Sequence, residues 1–177
     1  MFDARIFPSN LDDIRKILLE KKAEFKGEYI IHDIIFSSKN PLETLDKVFL
    51  RLRLVPVNIW NEKRVIVSIK KTELKNIGKQ SIIAIKEQFD TEYEARKFIT
   101  DNYADTFEQS FEFDRKGWQY NLGNDQIDLE DIEAHYSVEF KSPTQEGLEK
   151  LLNTFTIKSD DVIKGPSVLA IRDMLKM

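Results

Sequence analysis

Residues 50–54 read Leu50-Arg51-Leu52-Arg53-Leu54, with Phe49 before them, and this strict alternation decides the fold class. Successive side chains of a strand point to opposite faces, so the leucines share one face and both guanidiniums the other. The same period of two recurs in Val65-Ile66-Val67-Ser68-Ile69-Lys70 and in Tyr136-Ser137-Val138-Glu139-Phe140-Lys141. Strands with one apolar and one polar face predict antiparallel sheet. Working outward, residues 2–7, 28–37, 81–89, 107–114, 116–122 and 126–132 are further strand candidates. The turns Arg115-Lys116-Gly117 and Gly123-Asn124-Asp125 join them as a meander. About eight strands are enough for a closed antiparallel barrel.

Four segments carry helical spacing instead. The first opens at Pro8-Ser9-Asn10, where Ser9 or Asn10 is placed to cap, and continues through Leu11, Ile14, Ile17 and Leu18. The second begins at Thr91 with Glu94 three residues on, the reciprocal capping-box pattern. A third pairs Ser142 with Gln145 around Pro143 and sets Leu148, Leu151 and Leu152 on one side. The fourth, Gly165-Pro166 to Met177, is expected to lie across the barrel's end. The fold class is therefore α+β, a closed eight-stranded antiparallel barrel with flanking helices, in one domain over residues 1–177; no linker or repeat divides it.

Composition sets the limits on function. Apolar residues make up 41% and charged residues 33% of the 177, with 6 Gly and 5 Pro, enough to build a core. With no cysteine, thiolate chemistry and Cys-ligated metal are excluded. No apolar run approaches the roughly 18 residues of a membrane helix, and the expected location is cytoplasmic. The net charge of −4 argues against a nucleic-acid partner and confines any anion site to a local cluster of cations.

Arginine suits phosphate because its planar fork donates two parallel hydrogen bonds and keeps its charge at working pH. Arg51 and Arg53 share a face; Lys70 ends a second alternating strand, Lys86 lies in a third, Arg115 follows a fourth and Lys141 ends the strand holding Glu139. Turned inward together they form a phosphate-binding lumen; turned outward they are ordinary surface charge. His32 and His135 lie far apart and read as structural. The acids Asp125, Asp128, Glu130, Asp131 and Glu133 read as a solvated edge. Trp60 and Trp118 read as cover for the core rather than as base-stacking rings.

The order of these features resembles the CYTH, or triphosphate tunnel, family over nearly the whole chain. The likeness runs from the short first strand and capped helix through His32-Asp33-Ile34-Ile35-Phe36, the Leu-Arg-Leu-Arg run and Val67-Ser68-Ile69-Lys70. It continues with Ile127-Asp128-Leu129-Glu130-Asp131-Ile132-Glu133 and Val138-Glu139-Phe140-Lys141. The resemblance implies a closed tunnel, a small polyphosphate or nucleotide ligand, and Mg or Mn as cofactor. It makes Arg51, Arg53, Lys70 and Arg115 phosphate contacts and Glu139 a metal ligand, with Asp3 as a second oxygen donor. The sequence departs from the family where metal is held. Asp3-Ala4-Arg5-Ile6-Phe7 stands for Glu-x-Glu-x-Lys, Glu139-Phe140-Lys141 for the closing Glu-x-Glu, and Ala84, Lys86 and Gln88 bring no acid to the middle strand. The leading expectation is a polyphosphate-binding tunnel with a reduced metal-ligand set. The alternatives are an active class IV adenylate cyclase or triphosphatase, or a non-catalytic interaction module; a homodimer is compatible with each.

Overall fold

The computed structural model describes residues 1–45, 47–57, 59, 64–74, 79–163 and 167–176; Trp60 and the Gly165-Pro166 start of the fourth helix lie outside them. The elements run β1 (Phe2–Ile6), α1 (Asp12–Glu20), β2 (Glu24–Ser38), β3 (Val48–Val57), β4 (Val65–Leu74), β5 (Lys79–Phe89), α2 (Glu92–Tyr103), β6 (Phe107–Leu122), β7 (Asp125–Ile132), β8 (His135–Ser142), α3 (Gln145–Thr154) and α4 (Ser167–Leu175). All strand pairings are antiparallel, in the order β1-β5-β4-β3-β2-β6-β7-β8. The strongly curled sheet follows the expected ring, but its last seam is short. β1 pairs with β8 from Phe2 to Ile6, whereas among the described residues it meets β5 only at Phe2↔Gln80 and Asp3↔Lys79. The α+β class holds, and closure along the full length of that seam is not shown.

Two meanders, β2 to β5 and β6 to β8, are joined by the long β2–β6 pairing rather than forming one continuous meander. The turn expected at Arg115-Lys116-Gly117 is absent: β6 runs unbroken through it. Gly117 is there because the Tyr29 ring lies over it from the paired position on β2, where a Cβ would stand 2.0 Å from the ring. A second difference is in β5. The register shifts between Ile69↔Ile85 and Lys70↔Ile83, so the alternation skips at Ala84 and Ile83 takes the inward place expected of Ala84.

The sheet's apolar face is its outer one. Leu50 and Leu52, both fully buried, pack with Val65, Val67 and Ile34 beneath Ala95 and Ile99 of α2. Burying such a side chain contributes about 1.5–3 kcal/mol. Ile127, Leu129, Val138 and Phe140 are covered in the same way by α1 and α3. Thr91 and Glu94 form the expected capping box on α2. α3 starts two residues later than expected, capped by Thr144, because Ser142 is held as the last paired residue of β8. At α1 the N-cap is Leu11, although Asn10 Oδ1 still accepts from the Asp12 amide at 3.0 Å. α4 lies over one end of the lumen, where Val168 and Ile171 meet Ile35, Phe49 and Phe113.

Candidate functional site: a charged lumen

With the apolar face turned outward, the alternate positions of every strand converge inside. The lumen is a cavity of about 270 Å³ lined by residues from β1 to β8 and α4. Asp33 of β2 is its centre. Arg53 donates to both Asp33 oxygens, Nε to Oδ1 at 2.7 Å and Nη2 to Oδ2 at 2.9 Å. Arg115 bridges Asp33 Oδ2 and Glu130 Oε1, at 2.7 Å to each. The Tyr29 hydroxyl donates to Glu130 Oε1 at 2.9 Å, and Arg5 donates to Glu130 and to Ser137. Arg5 also lies 3.0 Å from Glu139, whose other oxygen is 2.9 Å from Lys141 Nζ; Lys141 reaches Asp128 Oδ2 at 2.6 Å. At the rim Lys79 Nζ lies 2.9 Å from Asp3 and donates to Ser167 of α4.

Electrostatics follow from this pairing. Burial alone raises the Asp33 carboxyl, but Arg53, Arg115 and Arg51 outweigh it and hold Asp33 well below the usual carboxylate range. Burial likewise opposes the charge on Arg5, and Glu130 and Glu139 more than restore it. Two cations stand apart. Arg51, 13% exposed, has only Asp33 at 3.8 Å, and its Nε is buried with no hydrogen-bond partner. Lys70 has no ion-pair partner among the described residues; the Arg51 guanidinium, followed by burial, pushes its ammonium well down. They are near neighbours on one face, since Arg51 pairs with Ser68 and Lys70 with Phe49.

Of the residues singled out from sequence, Arg51, Arg53, Lys70, Arg115, Lys141, Asp3 and Glu139 all line this cavity. Lys86 does not. It is exposed, on a stretch of β5 that pairs with β4 and, among the described residues, with no second strand. The reading of Asp128 and Glu130 as a solvated edge is overturned: they are 2% and 1% exposed and face the lumen. Ile127 and Leu129 alternate with them and anchor β7 on its outer side. Arg5, Asp33 and Lys79 are further lumen residues to which the sequence reading gave no role.

A divalent metal of the kind the resemblance implies needs hard oxygen ligands free to bind it. Asp3, Asp33, Glu130 and Glu139 each already lie within 3.0 Å of a lysine or arginine nitrogen. Asp128 Oδ1 is buried without a hydrogen-bond partner, but its sister oxygen holds Lys141, whose ammonium a divalent cation would oppose. Among the described residues no three His, Asp or Glu side chains are grouped to hold a metal ion. The donor set does not fit a divalent metal.

Comparison with solved structures settles the fold. A protein from Pyrococcus horikoshii superposes with a TM-score of 0.75 at 17% identity, covering 98% of each chain. A candidate adenylate cyclase from Vibrio parahaemolyticus gives 0.68 at 15% identity, again over 98% of each. A candidate adenylyl cyclase from Hippeastrum with a dominant triphosphatase activity gives 0.64 at 14%, over 97% of this chain and 94% of that one. This chain shares their fold. The CYTH resemblance expected from the sequence holds at that level, although no family model and no curated protein matches the sequence. Within this fold the lumen just described is where the buried charged side chains of the described residues gather. No helix among the described residues is long and apolar enough to cross a membrane.

Proposed function

We propose that the curled sheet acts as a closed tunnel that binds a phosphate-bearing anion, the end of a nucleotide or polyphosphate, without divalent metal and without hydrolysing it. The observation that carries this reading is the Arg51–Lys70 pair: two adjacent, largely desolvated cations, of which Arg51 has only Asp33 at 3.8 Å, a carboxylate already gripped by Arg53 and Arg115, and Lys70 has no ion-pair partner among the described residues. Such charge is costly to bury unpaired, and an anion between them removes the cost. Guanidinium and ammonium together supply directed and mobile donors for phosphoryl oxygens. Phosphoryl transfer depends on positioning and on neutralising the charge that develops. Here five of the lumen's cations are already engaged by its own carboxylates, which favours binding over turnover.

The test is calorimetric titration with tripolyphosphate and ATP, in magnesium and then in chelator, with product analysis of the same samples. Binding that persists in chelator and yields no product is expected, and Arg51→Met should weaken it by about tenfold or more, the cost of one charge-assisted contact. Metal-dependent release of phosphate or pyrophosphate would instead establish an active cyclase or triphosphatase, the activities named for the Vibrio and Hippeastrum proteins.

A further inference from the structure

We infer that the lumen engages one phosphoryl dianion at a time, so that its metal-free affinity does not grow with the length of a phosphate chain. This rests on the anion-binding reading above and adds the charge the site can accept. Among the described residues seven cationic side chains line the cavity against five carboxylates, an excess of two positive charges.

The distribution matters more than the total. Arg53 and Arg115 are held by Asp33, Arg115 and Arg5 by Glu130, Arg5 and Lys141 by Glu139, Lys141 by Asp128, and Lys79 by Asp3. All of these contacts lie within ion-pair distance, and Arg53 grips Asp33 through two nitrogens. Among the described residues the excess is therefore local: it falls on Lys70 and on Arg51, which is 3.8 Å from an Asp33 already held by two other arginines.

A single phosphoryl group carries about two negative charges at neutral pH and presents three acceptor oxygens. It matches that pair in charge. A second or third phosphoryl group extending along the lumen meets cations whose bonds are already committed, together with the carboxylates that hold them. Each new contact then requires breaking an internal ion pair and leaving its carboxylate uncompensated, so the gain is offset. At the α4 end the lumen offers the apolar side chains of Ile35, Phe49 and Phe113, with Val168 and Ile171 over them, and the polar groups beside them, Lys79 and Ser167, are bonded to each other. The built-in Arg and Lys partners of Glu139, Asp128 and Asp3 also remove the oxygen donors through which a metal would extend the site's capacity.

The experiment is a chain-length series with the full-length protein, titrating orthophosphate, pyrophosphate and tripolyphosphate in chelator at about pH 8, where a phosphoryl monoester is a dianion. Orthophosphate should bind one-to-one, and tripolyphosphate should bind less than about fivefold more tightly. Tighter binding of tripolyphosphate by about fivefold or more overturns the one-phosphoryl site while leaving the anion-binding reading intact; absence of binding by all three overturns that reading itself.

Glu139→Gln supplies the converse test. It releases Arg5 and Lys141 from one carboxylate and raises the lumen's positive excess by one, with the side chain's size unchanged. Tripolyphosphate affinity should then rise by about tenfold or more and orthophosphate affinity by less than about threefold. A parallel rise or fall of both ligands would show that internal pairing does not set the capacity, and would sink the proposal.

Discussion

Asp33 and Lys70 face the same lumen and experience opposite fates there. Asp33 accepts from two arginines, so its burial is compensated; Lys70 faces Arg51 without a counterion, so its burial is not. Replacing Asp33 by Asn leaves Arg53 and Arg115 facing each other without their shared charge. The expected loss of stability is about 3–5 kcal/mol, the range for breaking one side of a buried ion pair; denaturant unfolding of the variant checks it. Lys70 gives a pH signature. Its ammonium is held below the ordinary 10.5, and a bound anion supplies the missing countercharge and raises it again. Between those two positions the free protein carries fewer protons than the complex, so binding takes up a proton and weakens as pH rises through the window. Titration in buffers of different ionisation heat at about pH 9 should show this uptake in the native protein and none after Lys70→Met. At this scale the sequence was half legible. Alternation placed Arg51 and Arg53 on one face, because that follows from strand geometry alone. The partnership of Arg53 with Asp33 depends on which strands become neighbours. Asp128 and Glu130 were misread because a run of acids looks like a surface until Ile127 and Leu129 are seen to claim the outer side.

Gly117 shows what an element demands of one residue. In sequence, Arg115-Lys116-Gly117 has the chemistry of a turn, and the strand continuing through it is imposed by pairing, with β2 on one side and β7 on the other. The glycine remains because Tyr29, fully buried opposite it, lays its ring across the position on the way to Glu130. Gly117→Ala should therefore cost about 1–3 kcal/mol, as overpacking does. Combining it with Tyr29→Leu should recover part of that loss, in a double-mutant cycle read by thermal unfolding. Full additivity of the two changes would show that the ring is not what excludes a side chain there. The capping box on α2 was legible because its whole signal lies within four consecutive residues. The start of α3 was not, because β1 and β8 claim Ser142 through a pairing that is distant in sequence. The displaced register of β5 is of the same kind: a bulge against β4 leaves no mark in the alternation of β5 itself.

Over the whole molecule the sheet is built inside out relative to an ordinary barrel core. Leu50, Leu52, Ile127 and Leu129 face outward beneath α1, α2 and α3, and the alternate positions of the same strands bring charge into the space enclosed. Stability and function are thereby assigned to opposite faces of the same strands, which yields a prediction about sign. If every lumen charge were structural, each removal would destabilise, as with Asp33. Arg51 and Lys70 are instead a surplus that repels itself while the lumen is empty. Lys70→Met removes a desolvated, unpartnered cation and keeps the stem that fills the space. It should stabilise the free protein by about 1 kcal/mol, which for a domain of this size raises Tm by about 2–4 °C. Orthophosphate should raise the Tm of the native protein through mass action and leave that of the variant nearly unchanged. A scan with and without phosphate reads both effects in one experiment. A variant that melts lower than the native protein would mean that Lys70 serves the fold through a contact of its own, and the division of this lumen into paired structural charge and free ligand-binding charge would fail.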